Sequence, residues 1–320
     1  MKIFKKVFKL IKDTYISWNQ NEPWAKSAVI AYYALFSLPS LLIITIHFAG
    51  VFFGSQAVQG RITREFEGLI GEESAQLIQS IIVNSSLSSN STIFIIVGIG
   101  TLIFGATGVF VQLQKALNDI WGVRLKKTGI LSFIRHRALA FGMVLVIGLL
   151  LLISLVLSTA INAFSDFIGS QYVKLPPDLI RLINFLISQI IITALFTTIY
   201  TLLPDVKVKW KTNIIGAAVT TLLFLIGKYL IGFYFSTSDP ASAYGAAGSL
   251  VLILLWVYYT CLILFFGAEF TVNWALMNNI KIEPTDYAAP SYEQELEKLR
   301  AYKQQVEERK KKMDQLCSGG

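Results

Sequence analysis

One uninterrupted apolar stretch near the carboxyl end limits what this chain can fold into. The stretch is Tyr244–Thr271, YGAAGSLVLILLWVYYTCLILFFGAEFT, and no residue between Ala246 and Ala268 is charged. At 1.5 Å per residue, a helix of this length crosses a hydrocarbon core of about 30 Å. A helix also satisfies its own backbone hydrogen bonds, which the interior of a bilayer requires. The stretch therefore predicts a transmembrane helix.

The rest of the chain has the same character. Apolar residues make up 54% of the 320 residues and charged residues 15%, against about 25% charged in ordinary soluble domains. Because the apolar residues are grouped in long runs, we expect an all-α, polytopic membrane protein with six transmembrane helices and amphipathic helices on both surfaces. The membrane domain is predicted over 28–272, with spans at 28–53, 92–113, 138–163, 180–203, 213–235 and 246–270.

Lysine and arginine are unequally distributed between alternate connections. Of 28 such residues, 23 fall in the amino-terminal segment, the connections 114–137 and 204–212, and the carboxyl tail, whereas four fall in the opposite loops and Lys228 lies within a span. The positive-inside rule then predicts both termini in the cytoplasm. Orientation and contact with membrane lipids, including anionic lipids at the cytoplasmic face, account for the positive charge, so we expect no nucleic acid partner.

Three polar segments lie outside the predicted spans. Residues 1–27 place lysines and apolar residues at helical spacing, which predicts an amphipathic helix on the anionic cytoplasmic leaflet, broken at Pro23. Residues 54–91 predict two short interfacial helices. The cytoplasmic tail 273–320 begins with a proline-containing loop and continues as a charged helix with a thin apolar seam. That helix is either solvated or contacts a partner protein or a second copy of the chain.

Glycines recur in the spans at the spacing of helix contacts. In lipid, helices associate where small residues let their backbones approach closely. The predicted packing glycines are Gly98, Gly105, Gly108, Gly245, Gly248 and Gly267.

Several motifs together resemble one known family. They are SAVIAYYALFSLPSLLIITI in the first span, LNDIWGV after the second, the Arg-His-Arg entry to the third, and the long stretch of the sixth. Over roughly residues 5–275 the chain resembles the YihY/BrkB family of bacterial inner-membrane proteins. The resemblance implies six helices in the inner membrane. Members have carried the label ribonuclease BN, and the family is also discussed as a possible transporter or envelope-lipid handling factor.

The residues themselves argue against hydrolysis. A metal-dependent hydrolase needs clustered His, Asp or Glu side chains in a hydrated pocket. The chain has two histidines, His47 and His136, which the topology places on different sides of the bilayer. No GxSxG, GxGxxG or Walker A motif occurs either. We therefore expect no enzyme, and no catalytic residue, metal or cofactor.

Polar groups inside the spans are the remaining functional candidates. An ionisable side chain in a span costs several kcal/mol unless it is paired or hydrated. Lys228, past the midplane of span five, either lines a polar cavity or extends to the outer headgroups. Each amide or histidine alone is more often part of a helix–helix hydrogen bond. The candidate cavity consists of Lys228, His47, Gln189 and Asn162.

Two carboxylates lie at the predicted cytoplasmic ends of spans. Asp119 and Glu269 are expected to form ion pairs with Arg135 or Arg137. The leading hypothesis for function is a transporter or lipid-translocation protein that moves an amphiphile between helices. The alternative is a non-catalytic membrane scaffold acting through its amino-terminal helix and tail, and the ribonuclease comes third.

Overall fold

The computed structural model describes residues 2–54, 108–126, 177–238 and 248–292, together with isolated positions between 56 and 80 and at 296. Most of the predicted span two, the whole of the predicted span three and most of the predicted tail helix lie outside these residues. The described helices are α1 (Lys2–Gln20), α2 (Pro23–Phe53), α3 (residues 108–120), α4 (Pro177–Leu202), α5 (Trp210–Ser238) and α6 (Gly248–Met277).

Three described helices are long and apolar enough to cross a membrane. They are Asp178–Leu202 in α4, Trp210–Tyr234 in α5 and Leu250–Met277 in α6. The 31-residue α2 contains the predicted first span. The chain is therefore a helical, multi-pass membrane protein. The total of six spans stays a prediction.

A sharp corner separates α1 from α2 at the predicted position. Glu22 adopts a left-handed conformation with φ 51° and ψ 51°, and Pro23 begins the next helix. Proline suits this position because the first turn of a helix does not need its backbone N–H. The corner lets α1 fold back against α6, where Trp18 Nε1 donates to the carbonyl oxygen of Leu262 at 3.3 Å.

The amphipathic α1 divides its apolar residues between protein and surface. Leu10, Thr14 and Trp18 are four residues apart and buried, so they form one helical face. Phe8 and Tyr15 are 65% and 57% exposed. Part of the face assigned to lipid from the sequence therefore packs against the helix bundle instead.

The helices form a bundle in which α6 has the most neighbours. It packs against α1, α2 and α5, while α4 packs against α5 and also reaches α6, where the Tyr200 hydroxyl donates to the carbonyl oxygen of Leu264 at 2.7 Å. A buried cluster joins α1, α3, α4 and α6 through Trp18, Leu117, Phe196, Tyr200, Phe265 and Ala268.

Two small antiparallel sheets close one end of the bundle. Strand β1 (Val123–Leu125) pairs with β4 (Ala288–Pro290), and β2 (Val206–Lys207) pairs with β3 (Glu283–Pro284). The expectation of a plain proline-containing loop after α6 was therefore wrong. Proline is tolerated because each pair is only two strands wide, so one edge of every strand needs no donor. We call this end of the bundle the strand end.

The segment after α2 also contains helical turns, at 58–60, 62–63, 75–76 and 79–80. The Thr63 hydroxyl donates to Gln79 Oε1 at 2.7 Å, so two of these turns are in contact.

Candidate functional site

A line of polar side chains follows the contact between α4 and α5, which we call the polar seam. The Thr193 hydroxyl donates to Thr221 Oγ1 at 3.0 Å, and Asn213 Nδ2 donates to Thr201 Oγ1 at 3.0 Å. The two bonds are eight residues apart on both helices. The helices therefore run antiparallel and side by side for about 12 Å.

The threonines of the polar seam are also bonded within their own helices. The single Thr193 hydroxyl proton is shared between Thr221 Oγ1 and the carbonyl oxygen of Gln189, which lies 2.7 Å away, and Thr197 donates to the carbonyl oxygen of Thr193 at 2.8 Å. Threonine hydroxyls often bond the carbonyl four residues earlier, which satisfies them in apolar surroundings. Their lone pairs remain available to accept, as Thr221 does. The polar seam thus presents hydroxyl groups without leaving them unsatisfied.

Lys228 and Gln189 extend the polar seam away from the strand end. At 100° per residue, Lys228 lies about 20° around α5 from Thr221, and Gln189 lies about 40° around α4 from Thr193. Both positions are therefore on the helix faces that meet at the seam. Both residues are half-buried, and neither side chain makes a hydrogen bond or ion pair with another described residue.

The other two members of the predicted cavity are not brought to this place by the described structure. His47 lies in α2, but its side chain is outside the described part, and so is the whole of Asn162. The grouping of all four residues stays a prediction.

The two carboxylates assigned to ion pairs have partners at the corner between α1 and α2. Asn21 Nδ2 donates to Glu269 Oε1 at 2.5 Å, and Glu269 is only 2% exposed. Lys26 Nζ lies 2.8 Å from Asp119 Oδ2. Arg135 and Arg137 lie outside the described residues, so their pairing stays a prediction. These contacts fasten α1 and α2 to α6 and α3.

Asp205 is a buried carboxylate that the sequence analysis missed. It lies in the connection between α4 and α5 and is 4% exposed. Its Oδ2 accepts hydrogen bonds from Gln114 Nε2 at 3.1 Å and Asn118 Nδ2 at 2.8 Å, and its backbone N–H donates to Asn118 Oδ1 at 2.8 Å. A signal was present, because Asp205 is the one acidic residue in the basic connection 204–212.

Two of the predicted packing glycines make close contacts. A methyl group on Gly108 would overlap the Tyr33 ring, and one on Gly267 would overlap the Thr220 hydroxyl and lie 2.6 Å from the Tyr200 hydroxyl oxygen.

Two glycines of α5 that the sequence analysis did not single out behave in the same way. Gly216 faces Thr271 of α6, and Gly227 faces the Tyr259 ring. Of the remaining predicted glycines, Gly248 is buried at the start of α6, whereas Gly98, Gly105 and Gly245 lie outside the described residues.

Within the described part of the chain, no three His, Cys, Asp or Glu side chains form a group that would hold a metal ion.

Comparison with known proteins gives a consistent match to membrane proteins. UPF0761 membrane protein MS0032 of Mannheimia succiniciproducens is 25% identical over 272 residues, covering 83% of this chain and 90% of the relative. UPF0761 membrane protein VV0203 of Vibrio vulnificus is 26% identical, covering 84% and 83%. A UPF0761 membrane protein of Teredinibacter turnerae is 27% identical over 81% of this chain, which spans only 58% of that relative. No solved structure matches the chain.

The sequence profile of a family described as virulence factor BrkB matches residues 17–290. The match begins in α1 and ends with Pro290, the last residue of β4. It therefore includes every described element from α2 to the small sheets of the strand end. The chain belongs to this family of membrane proteins, the BrkB family, which its sequence motifs resemble.

Proposed function

We propose that the protein translocates an amphiphile across the membrane, with the polar headgroup moving along the polar seam while the apolar chains stay in lipid. The observation that carries the proposal is the position of the seam at the edge of the bundle. In the most apolar stretch of α4 only 6% of the residues are buried, against 44% in α6. A polar path beside so exposed a helix is accessible to lipid from the side.

The chemistry of the polar seam suits a moving headgroup. Hydroxyl and amide groups both donate and accept hydrogen bonds, so they replace water around a headgroup as it passes. Lys228 and Gln189 supply a cation and an amide in the half of the seam away from the strand end. A cation in lipid is retained when it has water or an anion beside it, which an anionic amphiphile would supply. Movement down a gradient needs no nucleotide.

The distribution of positive charge predicts how the helix bundle is oriented in the membrane. The strand end gathers the α1–α2 corner, the end of α3, the α4–α5 connection and the segment after α6. These segments belong to the amino-terminal segment, the connections 114–137 and 204–212 and the carboxyl tail, which together carry 23 of the 28 lysines and arginines. The positive-inside rule therefore assigns the strand end to the cytoplasm and Lys228 to the outer half of the inner membrane.

A reconstituted system tests the proposal directly. Vesicles containing the purified chain and headgroup-labelled phospholipids would be treated with a membrane-impermeant quencher, and the rate at which inner-leaflet label is lost would be measured. We expect faster loss than in empty vesicles. Lys228→Met should slow it about tenfold, since a charge-assisted hydrogen bond is worth about 1.5–3 kcal/mol, while Lys228→Arg should retain part of the rate.

Two different results would contradict the proposal. A parental rate in the Lys228→Met variant would remove Lys228 from the path. Rates equal to empty vesicles for anionic, zwitterionic and neutral lipids would reject translocation altogether.

The scaffold alternative has one observation in its favour. Beyond its buried face, α1 exposes Phe8, Ile11 and Tyr15 beside its lysines. Such a face fits either the lipid surface or another protein. Absence of translocation, together with crosslinking of α1 to one specific protein in cells, would favour the scaffold.

A further inference from the structure

An open groove of about 510 Å³ lies where α4 ends and α5 begins. One wall comes from the α4–α5 connection and the other from the segment after α6, which β2 and β3 hold together. The polar residues that line it are Thr201, Lys207, Lys209, Asn213, Lys281 and Glu283. The groove therefore meets the polar seam at Thr201 and Asn213, the two residues that form the last hydrogen bond of the seam.

The charge of the groove favours an anion. Three lysines and one carboxylate line it. Lys281 and Glu283 form an ion pair, which raises the pKa of the lysine and lowers the pKa of the carboxyl. Lys207 Nζ lies 3.2 Å from Asp286 Oδ1 at the exposed rim. The Lys209 ammonium has no hydrogen bond or ion pair with any described residue, so it is available to a ligand.

A buried acceptor lies beside these cations. Asn213 is 2% exposed, and its Nδ2 is directed to Thr201 Oγ1 at 3.0 Å and to the Tyr200 carbonyl oxygen at 3.4 Å. Its Oδ1 is buried with no hydrogen-bond partner. Buried polar atoms in folded proteins nearly always have a partner, so this orphan oxygen is an unsatisfied polar group in a residue that lines the groove.

The surroundings place the groove at the height of lipid headgroups. Trp210, the first residue of α5, is 71% exposed beside it, and tryptophan is enriched at the membrane–water boundary. Leu202 and Ile214 are 47% and 39% exposed on the membrane side of the groove. A ligand with a polar head in the groove would therefore have its apolar chains next to exposed apolar residues.

We propose that the groove binds the phosphate-bearing headgroup of a phospholipid from the leaflet at the strand end. The phosphate lies against Lys207 and Lys209, beside Asn213. Free phosphate shares the anionic chemistry but not the apolar chains. The inference rests on the proposed function for its purpose, since it makes the groove the loading site of the polar seam, but the binding is tested without any movement of lipid.

The test measures lipid retention on the purified full-length chain in detergent. Native mass spectrometry would titrate phosphatidylglycerol, phosphatidylethanolamine and diacylglycerol, each with and without inorganic phosphate. We expect both phospholipids to bind and diacylglycerol not to bind. The double variant Lys207→Met/Lys209→Met should bind them at least about tenfold more weakly, because two charge-assisted hydrogen bonds are lost. Lys209→Met alone should lie between, since it leaves the Lys207–Asp286 pair intact.

The matched control is Lys211→Met. Lys211 is exposed two residues further along the chain and does not line the groove, so its loss should change binding by less than about twofold. A thermal melt of each variant checks that folding is unaffected.

Each result that differs from the expected lipid binding leads to a single conclusion. Parental phospholipid binding by the double variant, or equal binding of diacylglycerol, would overturn the headgroup site. Complete displacement of phospholipid by millimolar inorganic phosphate would assign the groove to free phosphate instead. Lysine-dependent lipid binding without any translocation in vesicles would support the site and reject the proposed function.

Discussion

The two sides of α5 are packed in different ways. Towards α6, the contact depends on glycines: Gly216 faces Thr271, and Gly267 of α6 faces Thr220. Towards α4, it depends on hydroxyl and amide bonds such as the 3.0 Å bond between Thr193 and Thr221. Both contacts join long apolar helices of similar length, but side chains lie directly over glycines in the α5–α6 contact, whereas hydroxyl and amide bonds join α4 to α5.

We interpret the glycine contact between α5 and α6 as fixed and the hydroxyl contact between α4 and α5 as one that a ligand can share. Glycine contacts in lipid depend on dense packing, and any separation forfeits the dispersion contacts outright. Hydroxyl groups exchange one partner for another at little cost, and in membranes their helix–helix bonds contribute only about 0.6 kcal/mol each. We therefore expect α5 and α6 to move as one unit and the α4–α5 contact to admit a headgroup.

The largest effect is expected at the anchor of the α4–α5 connection. Asp205→Ala removes the acceptor shared by Gln114 and Asn118, and two hydrogen bonds to a buried carboxylate are worth about 3 kcal/mol of unfolding free energy. Thermal unfolding in detergent measures it. The exposed Asp178→Ala should change the midpoint by almost nothing. Equal midpoints for the two variants would show that the connection is held by other contacts.

The second largest effect is expected for the glycine contact between α5 and α6. Gly267→Val should lower the unfolding free energy by about 1–3 kcal/mol, because the added atoms overlap the Thr220 hydroxyl. Gly232→Val on α5 is the control, since an added methyl group meets nothing within 4 Å there. The same unfolding scan compares the two. If Gly267→Val melts with the parent, the α5–α6 contact is not close.

The smallest effect is expected for the hydroxyl bonds between α4 and α5. Thr193→Val removes the bond to Thr221 and should lower the unfolding free energy by about 0.6 kcal/mol. Thr197→Val, one turn along α4, removes only a bond within the helix and serves as its control. A loss above about 2 kcal/mol at Thr193 alone would mean that the α4–α5 contact is as fixed as the α5–α6 contact.

The sequence predicts the spans better than their ends. Apolar runs predicted spans at 180–203 and 246–270, and the helices extend over Pro177–Leu202 and Gly248–Met277. The second helix continues beyond its apolar run because a helix needs only backbone hydrogen bonds, whereas hydropathy reports the surrounding medium. Glu269, expected at the membrane edge, lies within this helix and is buried among neighbouring helices. Its depth in the membrane stays a prediction.

The periodicity of the sequence does not show which helices pack against one another. Helical spacing shows that Lys228 shares a face with Thr221, but it does not show which helix covers that face. The partners of Gly216 and Gly227 likewise depend on which helix lies beside α5. The two-residue strands β2 and β3 are too short to produce any alternation, so only the structure shows their pairing.

The small sheets of the strand end have a consequence for biosynthesis. A ribosome delivers α4 and α5 to the membrane long before it releases residues 283–290, which form the partner strands of both β1 and β2. Insertion into the bilayer and closure of this face are therefore separate events in time. A nascent chain stopped after Met277 would have its apolar helices inserted but both sheets open, with their strand edges exposed to proteases and to wrong pairing.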